Sequence, residues 1–89
     1  MDDAERVCQD LGQRVIELRK KRGLTQQQLA ERLGIDPRDL RRVESGDNVT
    51  VRMLVRLAKA LVVPIGDLFV APKVRDARRP GRPRKVTED

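Results

Sequence analysis

Three arginines follow a proline within five residues in the stretch IDPRDLRRVESG, residues 35–46. An arginine carries its donors in a rigid fork, which can pair with the O6 and N7 acceptors of guanine or with phosphate oxygens. On a helix of about 100° per residue, with Arg38 at the origin, Arg42 falls at ~40° and Arg41 at ~−60°. Leu40 falls at ~200° and Val43 at ~140°, so the two apolar residues point away from the arginines. Such a face is either a solvated surface or a reader of nucleic acid. Pro37 offers no side-chain donor, but its fixed φ suits a first helical position. Readout would then pass to Arg38 and Arg42, with Arg41 beside them.

The elements that would hold this face are legible as helices. Val7, Leu11, Val15 and Leu18 recur every three or four residues, so a first helix is expected from about residue 3 to 22, with Gly23 as its stop. Thr25 and Gln28 form a capping box that opens a second helix through Leu33, stopped by Gly34. Asp36 caps a third helix beginning at Pro37. A fourth is expected from the Thr50 cap to about Leu61, burying Leu54, Leu57, Ala58 and Leu61. A short fifth piece, Ile65 to Val70, is expected to return Leu68 and Phe69 to the core. Two capped helices joined by a Gly-containing turn make a helix-turn-helix, whose second helix enters the major groove.

The bulk properties agree with this reading. The chain has 89 residues, 38% hydrophobic and 38% charged, with 20 basic and 14 acidic residues and a net charge of +6. A basic surplus on a small domain points to a polyanion. Cys8 is the single cysteine and histidine is absent, which leaves no disulfide, no common zinc pattern and no histidine-based catalysis, so no metal, cofactor or enzymatic activity is expected. One aromatic residue, Phe69, cannot supply the base-stacking platform of single-strand RNA binders. The N-terminus is acidic and polar, no apolar run approaches a membrane span, and a cytoplasmic, nucleoid-associated protein is the expectation.

From LGQRVIELRKKRGLTQQQLAERLGI through RRVESG to LVRLAKALVVPIGDLF, the chain resembles the lambda-repressor-like (Cro/CI, Xre-type) helix-turn-helix domains. The resemblance spans roughly residues 11 to 69. It implies an all-α fold of five helices, binding to double-stranded DNA as a homodimer, and a regulatory role in transcription. By position it puts Pro37, Arg38, Arg41 and Arg42 on the bases. It gives Gln26 a phosphate contact and a bracing role at the recognition helix, and Asn48, Thr50 and Arg52 further phosphates. Arg19 and Glu44 match a largely buried ion pair of the family, the alternative for Glu44 being an exposed carboxylate near a helix end. Val62, Val63 and Ile65 fall at a junction that related domains use for dimerisation, the alternative being completion of a small core.

Three positions depart from the family pattern. Pro37 stands where Gln or Ser is common. The segment between Glu44 and Leu54 is about one residue shorter, and Asp47 brings a negative charge to it. Val62 replaces the glycine that usually ends the fourth helix; either that helix ends differently or Val62 is kept for an apolar contact.

Residues 1–70 are therefore expected to form the helix-turn-helix domain and residues 71–89 a basic Pro/Arg-rich tail, disordered when free. The tail holds seven basic and three acidic residues, hence +4 of the total +6. Its RRPGRPRK resembles an AT-hook: Gly81 and Pro83 would suit an extended backbone in a narrow minor groove, and Arg82, flanked by Arg79 and Arg84, would reach the floor. Pro80 replaces the arginine usual before the glycine, and a generic phosphate-neutralising arm is the equal alternative. The expected function is that of a transcriptional repressor on a pseudo-palindromic operator. The alternatives are an antitoxin or adaptor module with a protein partner, and a nucleoid-type DNA protein preferring A·T-rich sequence.

Overall fold

The computed structural model describes residues 2–73. Among them are four α-helices, α1 (Asp3–Lys21), α2 (Gln26–Leu33), α3 (Pro37–Glu44) and α4 (Val51–Leu61), followed by a 3₁₀ segment at Ile65–Phe69, and no strand. The fifth expected helix is thus a 3₁₀ turn. It follows Pro64, and five residues give it little length over which to propagate an α-helical ladder.

Each helix starts on a side-chain cap. Asp2 and Thr25 form capping boxes with Glu5 and Gln28, Asp36 accepts from the Arg38 N–H, and Thr50 accepts from the Met53 N–H. All four also end in one way, with a backbone N–H reaching five residues back: Leu24 to Arg19, Ile35 to Ala30, Asp47 to Arg42 and Val63 to Ala58. That closure needs a left-handed residue, which is Gly23, Gly34 and Gly46 in the first three helices. In α4 it is Val62, at φ 59° and ψ 51°. The helix therefore ends as a glycine would end it, against the preference of a β-branched side chain. Pro64 forbids continuing the helix, and the Arg22 guanidinium donates to the Val62 carbonyl at 2.9 Å, holding the turn from outside.

The core is a single cluster in which Val15, Leu29, Leu40, Leu57, Leu61 and Leu68 are fully enclosed. α1 packs against α3 and the 3₁₀ segment, α2 against α3 and α4, and α4 against the 3₁₀ segment. The expected periodicity holds with three exceptions. Val7 is half exposed and Phe69 is 54% exposed, the two lining one concavity with Leu11, Leu68 and Val70, Leu68 alone filling the inward position of the 3₁₀ turn; Leu54 is only partly buried. Gly12 lets α1 and the end of α3 approach closely. A Cβ there would lie 2.6 Å from the carbonyl oxygens of both Val43 and Glu44, so only glycine lets α1 meet the end of α3.

Beyond the 3₁₀ segment, Pro72 is buried and the Lys73 N–H donates to Glu17 on α1 at 2.6 Å. Arg14, paired with that glutamate, donates through Nε to the Asp67 carbonyl at 2.7 Å. The chain is thus tacked along α1 as far as Lys73. None of the helices is long and apolar enough to cross a membrane.

Left-handed backbone costs a β-branched residue about 1–2 kcal/mol. Val62→Gly is expected to stabilise the fold by about 1 kcal/mol after the entropic cost of glycine. A rise of roughly 4–8 °C in thermal midpoint at low protein concentration would show it; a fall would mean that the Val62 side chain makes a contact worth more than the strain.

Candidate nucleic-acid interface

The third helix is short, and its sequence alternates between the two demands made on it. Leu40 and Val43 go to the core, while Arg38, Arg41 and Arg42 are exposed on the opposite side and Pro37 is half-buried at the start. The guanidinium groups of Arg41 and Arg42 make no hydrogen bond or salt bridge among the described residues. They are cations held out into solvent.

What fixes this helix is its last residue. Glu44 is 3% exposed, and its carboxylate accepts from Arg19 Nε at 2.7 Å, Arg19 Nη2 at 3.3 Å and Gln26 Nε2 at 2.7 Å. The remaining Arg19 nitrogen, Nη1, donates to the Leu24 carbonyl at 3.0 Å. One carboxylate therefore joins α1, the turn after it, the first residue of α2 and the last residue of α3. Burying an anion is tolerable only with this degree of donation. Gln26 spends one amide hydrogen on Glu44, leaving the other and the carbonyl oxygen for an outside partner.

Two shallow concavities adjoin on this side of α3. One is lined by Arg19, Lys20, Thr25, Gln26, Pro37 and Arg41, the other by Ile16, Gln26, Arg38, Arg41, Arg42 and Ser45 with Glu44 at its floor. A third, on the far flank, is lined by Asp39, Arg42, Asp47, Asn48, Thr50 and Met53. The structure thus brings Gln26, Pro37 and the three arginines together, with Asn48 and Thr50 across α3 from Gln26. Arg52 lines none of the three. Asp39 and Asp47 stand on the Asn48 flank, so that flank is the less cationic one.

Sequence reading passed over three residues of this surface. Lys20 and Ile16 line the concavities from α1, and an apolar residue such as Ile16 does not announce by its type a place beside the arginines. Asp36 is the third. Besides capping α3 it pairs with Arg38, Nη2 to Oδ2 at 3.4 Å. The Arg38 backbone N–H, and after it the guanidinium, hold the Asp36 carboxyl below its ordinary pKa, and the carboxylate raises that of Arg38. The cap's contribution is complete above the unfolded carboxylate range and fades as pH falls through the lowered value.

Val62 is 66% and Ile65 42% exposed, whereas Val63 packs partly against the core. Arg79, Gly81, Arg82, Pro83 and Arg84 lie outside the described residues.

Comparison with known proteins places this geometry. A family model described as helix-turn-helix matches residues 15–68, and the chain belongs to that family. Among solved structures, the restriction-modification controller protein C.AhdI from Aeromonas hydrophila is 38% identical, with 70% of this chain and 96% of that one covered and a TM-score of 0.67. The clp gene regulator ClgR from C. glutamicum is 27% identical over 70% of this chain and 82% of its own, also at 0.67. A hypothetical transcription factor, NHTF from Neisseria, shares the fold at a TM-score of 0.71 and 24% identity, over 82% of this chain and 85% of that one. None of the curated proteins compared with the chain matches it.

Removing one partner from a buried ion pair strands the other, at a cost of about 3–5 kcal/mol. Arg19→Ala should therefore lower the thermal midpoint sharply. The double change Arg19→Met with Glu44→Leu should recover much of that loss, because no uncompensated charge stays buried. Equal midpoints for wild type and Arg19→Ala, read by circular dichroism, would contradict the pairing.

Proposed function

We propose that this helix-turn-helix protein is a sequence-specific transcriptional repressor that binds double-stranded DNA as a homodimer, with α3 in the major groove. The observation that carries the reading is the three-arginine face of α3, free of partners at Arg41 and Arg42, on a helix whose other side is locked to the core and whose end is locked by Glu44. A helix held this firmly can present guanidinium groups at fixed points along a groove. Arg38, Arg42 and Arg41 contact bases, and Pro37 packs against the groove wall. Gln26 holds a phosphate with the amide hydrogen that Glu44 leaves unused. Asn48, Thr50 and Arg52 contact the backbone on the other flank, weakly, because Asp39 and Asp47 repel phosphate there.

Val62 and Ile65, with Val63 behind them, form the two-fold contact. A dimer built there would set its recognition helices about one DNA turn apart, roughly 34 Å, and would read a pseudo-palindrome. The basic tail, residues 71–89, adds phosphate contacts beyond the domain. Control of a restriction-modification system is a more specific reading, favoured by the 38% identity to a controller protein of that kind.

Selection of bound duplexes from random DNA, at near-physiological salt, tests the core of this. The expected product is a pseudo-palindrome with half-sites about one turn apart. Arg38→Ala and Arg42→Ala should each relax discrimination at their own base pair by about 1–3 kcal/mol while leaving the thermal midpoint unchanged; retention of the full preference by both variants would remove α3 as the reader. Truncation after Lys73, which spares the contacts of Pro72 and Lys73, should weaken binding and flatten the slope of log K against log salt by up to about 0.9 for each cation engaged, with the preferred site kept. If the site itself disappears, the arm rather than α3 is the reader.

A further inference from the structure

Arg38 differs from its two neighbours in having a partner. Asp36, two residues before it, caps α3 by accepting the Arg38 backbone N–H at 2.8 Å, so the carboxylate is fixed to the helix end. The same carboxylate faces the Arg38 side chain: Nε lies 3.5 Å from Oδ1 and Nη2 lies 3.4 Å from Oδ2. Resting on the assignment of Arg38 to a base, we propose that Asp36 is the positioning residue that sets the Arg38 guanidinium for guanine.

The chemistry of the fork makes the argument. Asp36 occupies the Nε/Nη2 edge of the guanidinium. The end-on edge, formed by Nη1 and the outer hydrogen of Nη2, is left free and turned away from the carboxylate. Two parallel donors at that edge match O6 and N7 of guanine, the one base that offers two adjacent acceptors in the major groove. An arginine 78% exposed in its side chain would otherwise sample many rotamers, and ordering it on binding would cost entropy. The tether removes part of that cost before DNA arrives. Arg41 and Arg42 have no such tether and stay adaptable.

Asp36 has a second effect of opposite sign. It places a half-exposed carboxylate on the surface that meets phosphate, which disfavours every DNA sequence alike. Only where Arg38 finds its guanine does the paired arrangement offset that repulsion. Discrimination rises because non-specific binding is penalised and specific binding is pre-set.

The test uses the full chain with Asp36→Ser, Asp36→Asn and Arg38→Ala, each first shown by thermal melting to fold. Serine keeps the helix cap and removes the carboxylate; asparagine keeps the cap and one acceptor. The quantity read is the ratio of guanine to the next-best base, after selection from random duplexes, at the position that Arg38→Ala randomises. Asp36→Ser is expected to lower that ratio roughly five- to tenfold and to tighten binding to an unrelated duplex, with Asp36→Asn in between. An unchanged ratio in Asp36→Ser, alongside its loss in Arg38→Ala, would overturn the role of Asp36 and leave Arg38 as a reader. Equal weakening on selected and unrelated duplexes would make Asp36 a helix cap only, and would also overturn it. Should Arg38→Ala keep the whole preference, the assignment of Arg38 fails and the role of Asp36 fails with it.

Discussion

The buried carboxylate of Glu44 is the constraint on which the rest depends. It closes the helix that carries the arginines, and at 3% exposure it has to be surrounded by donors. Those donors come from Arg19 on α1 and Gln26 at the start of α2, and the same Arg19 also holds the Leu24 carbonyl in the intervening turn. Satisfying one anion therefore fixes where three helices stand relative to each other. Gly12 makes the arrangement possible, since any larger residue would push α1 off the carbonyls of Val43 and Glu44. A well-packed apolar pair could give equal stability at this place. What the ionic network adds is direction: α3 has one orientation in which Glu44 is satisfied.

The many arginines divide into two kinds once the fold is known. Arg22 donates to the Val62 carbonyl, Arg32 to Ala60 and Arg56 to Leu33, each at the C-terminal turn of a helix, and Arg14 to Asp67 in the 3₁₀ segment. Arg32 on α2 reaching Ala60 on α4, and Arg56 on α4 reaching Leu33 on α2, tie those two helices together. Arg38, Arg41 and Arg42 are left to face outward. Part of the chain's positive charge is thus engaged in internal contacts, while the arginine face of α3 is kept outward.

Val62 shows the opposite balance, a local cost accepted for a side chain. Three helix ends take glycine in the left-handed position and the fourth takes a β-branched residue that is two-thirds exposed. The hold from Arg22 acts on the Val62 carbonyl, and the side chain itself stays two-thirds exposed. Val62 and Ile65 are both exposed apolar residues, which is why the proposed two-fold contact is placed on them.

Four helices, three of their N-caps and the arginine face were legible in the sequence, because those depend on neighbours three or four residues apart. Thr25, Asp36 and Thr50 announce helix starts, Gly23 and Gly34 announce ends, and the 100° spacing separates Arg38 and Arg42 from Leu40 and Val43. The family resemblance added the Arg19 and Glu44 positions, and the helix-turn-helix match over residues 15–68 agrees with it. Other features were decided only in three dimensions. Val7 and Phe69 follow the apolar rhythm yet lie exposed, since periodicity names a face without saying whether anything packs against it. Val62 is left-handed because Pro64 and Arg22 close the turn around it, which local propensity opposes. Gln26 turns an amide hydrogen inward because a carboxylate eighteen residues later has to be satisfied. Asp36 reads in sequence as a cap; that it also holds Arg38 depends on side-chain rotamers, which residue spacing does not encode.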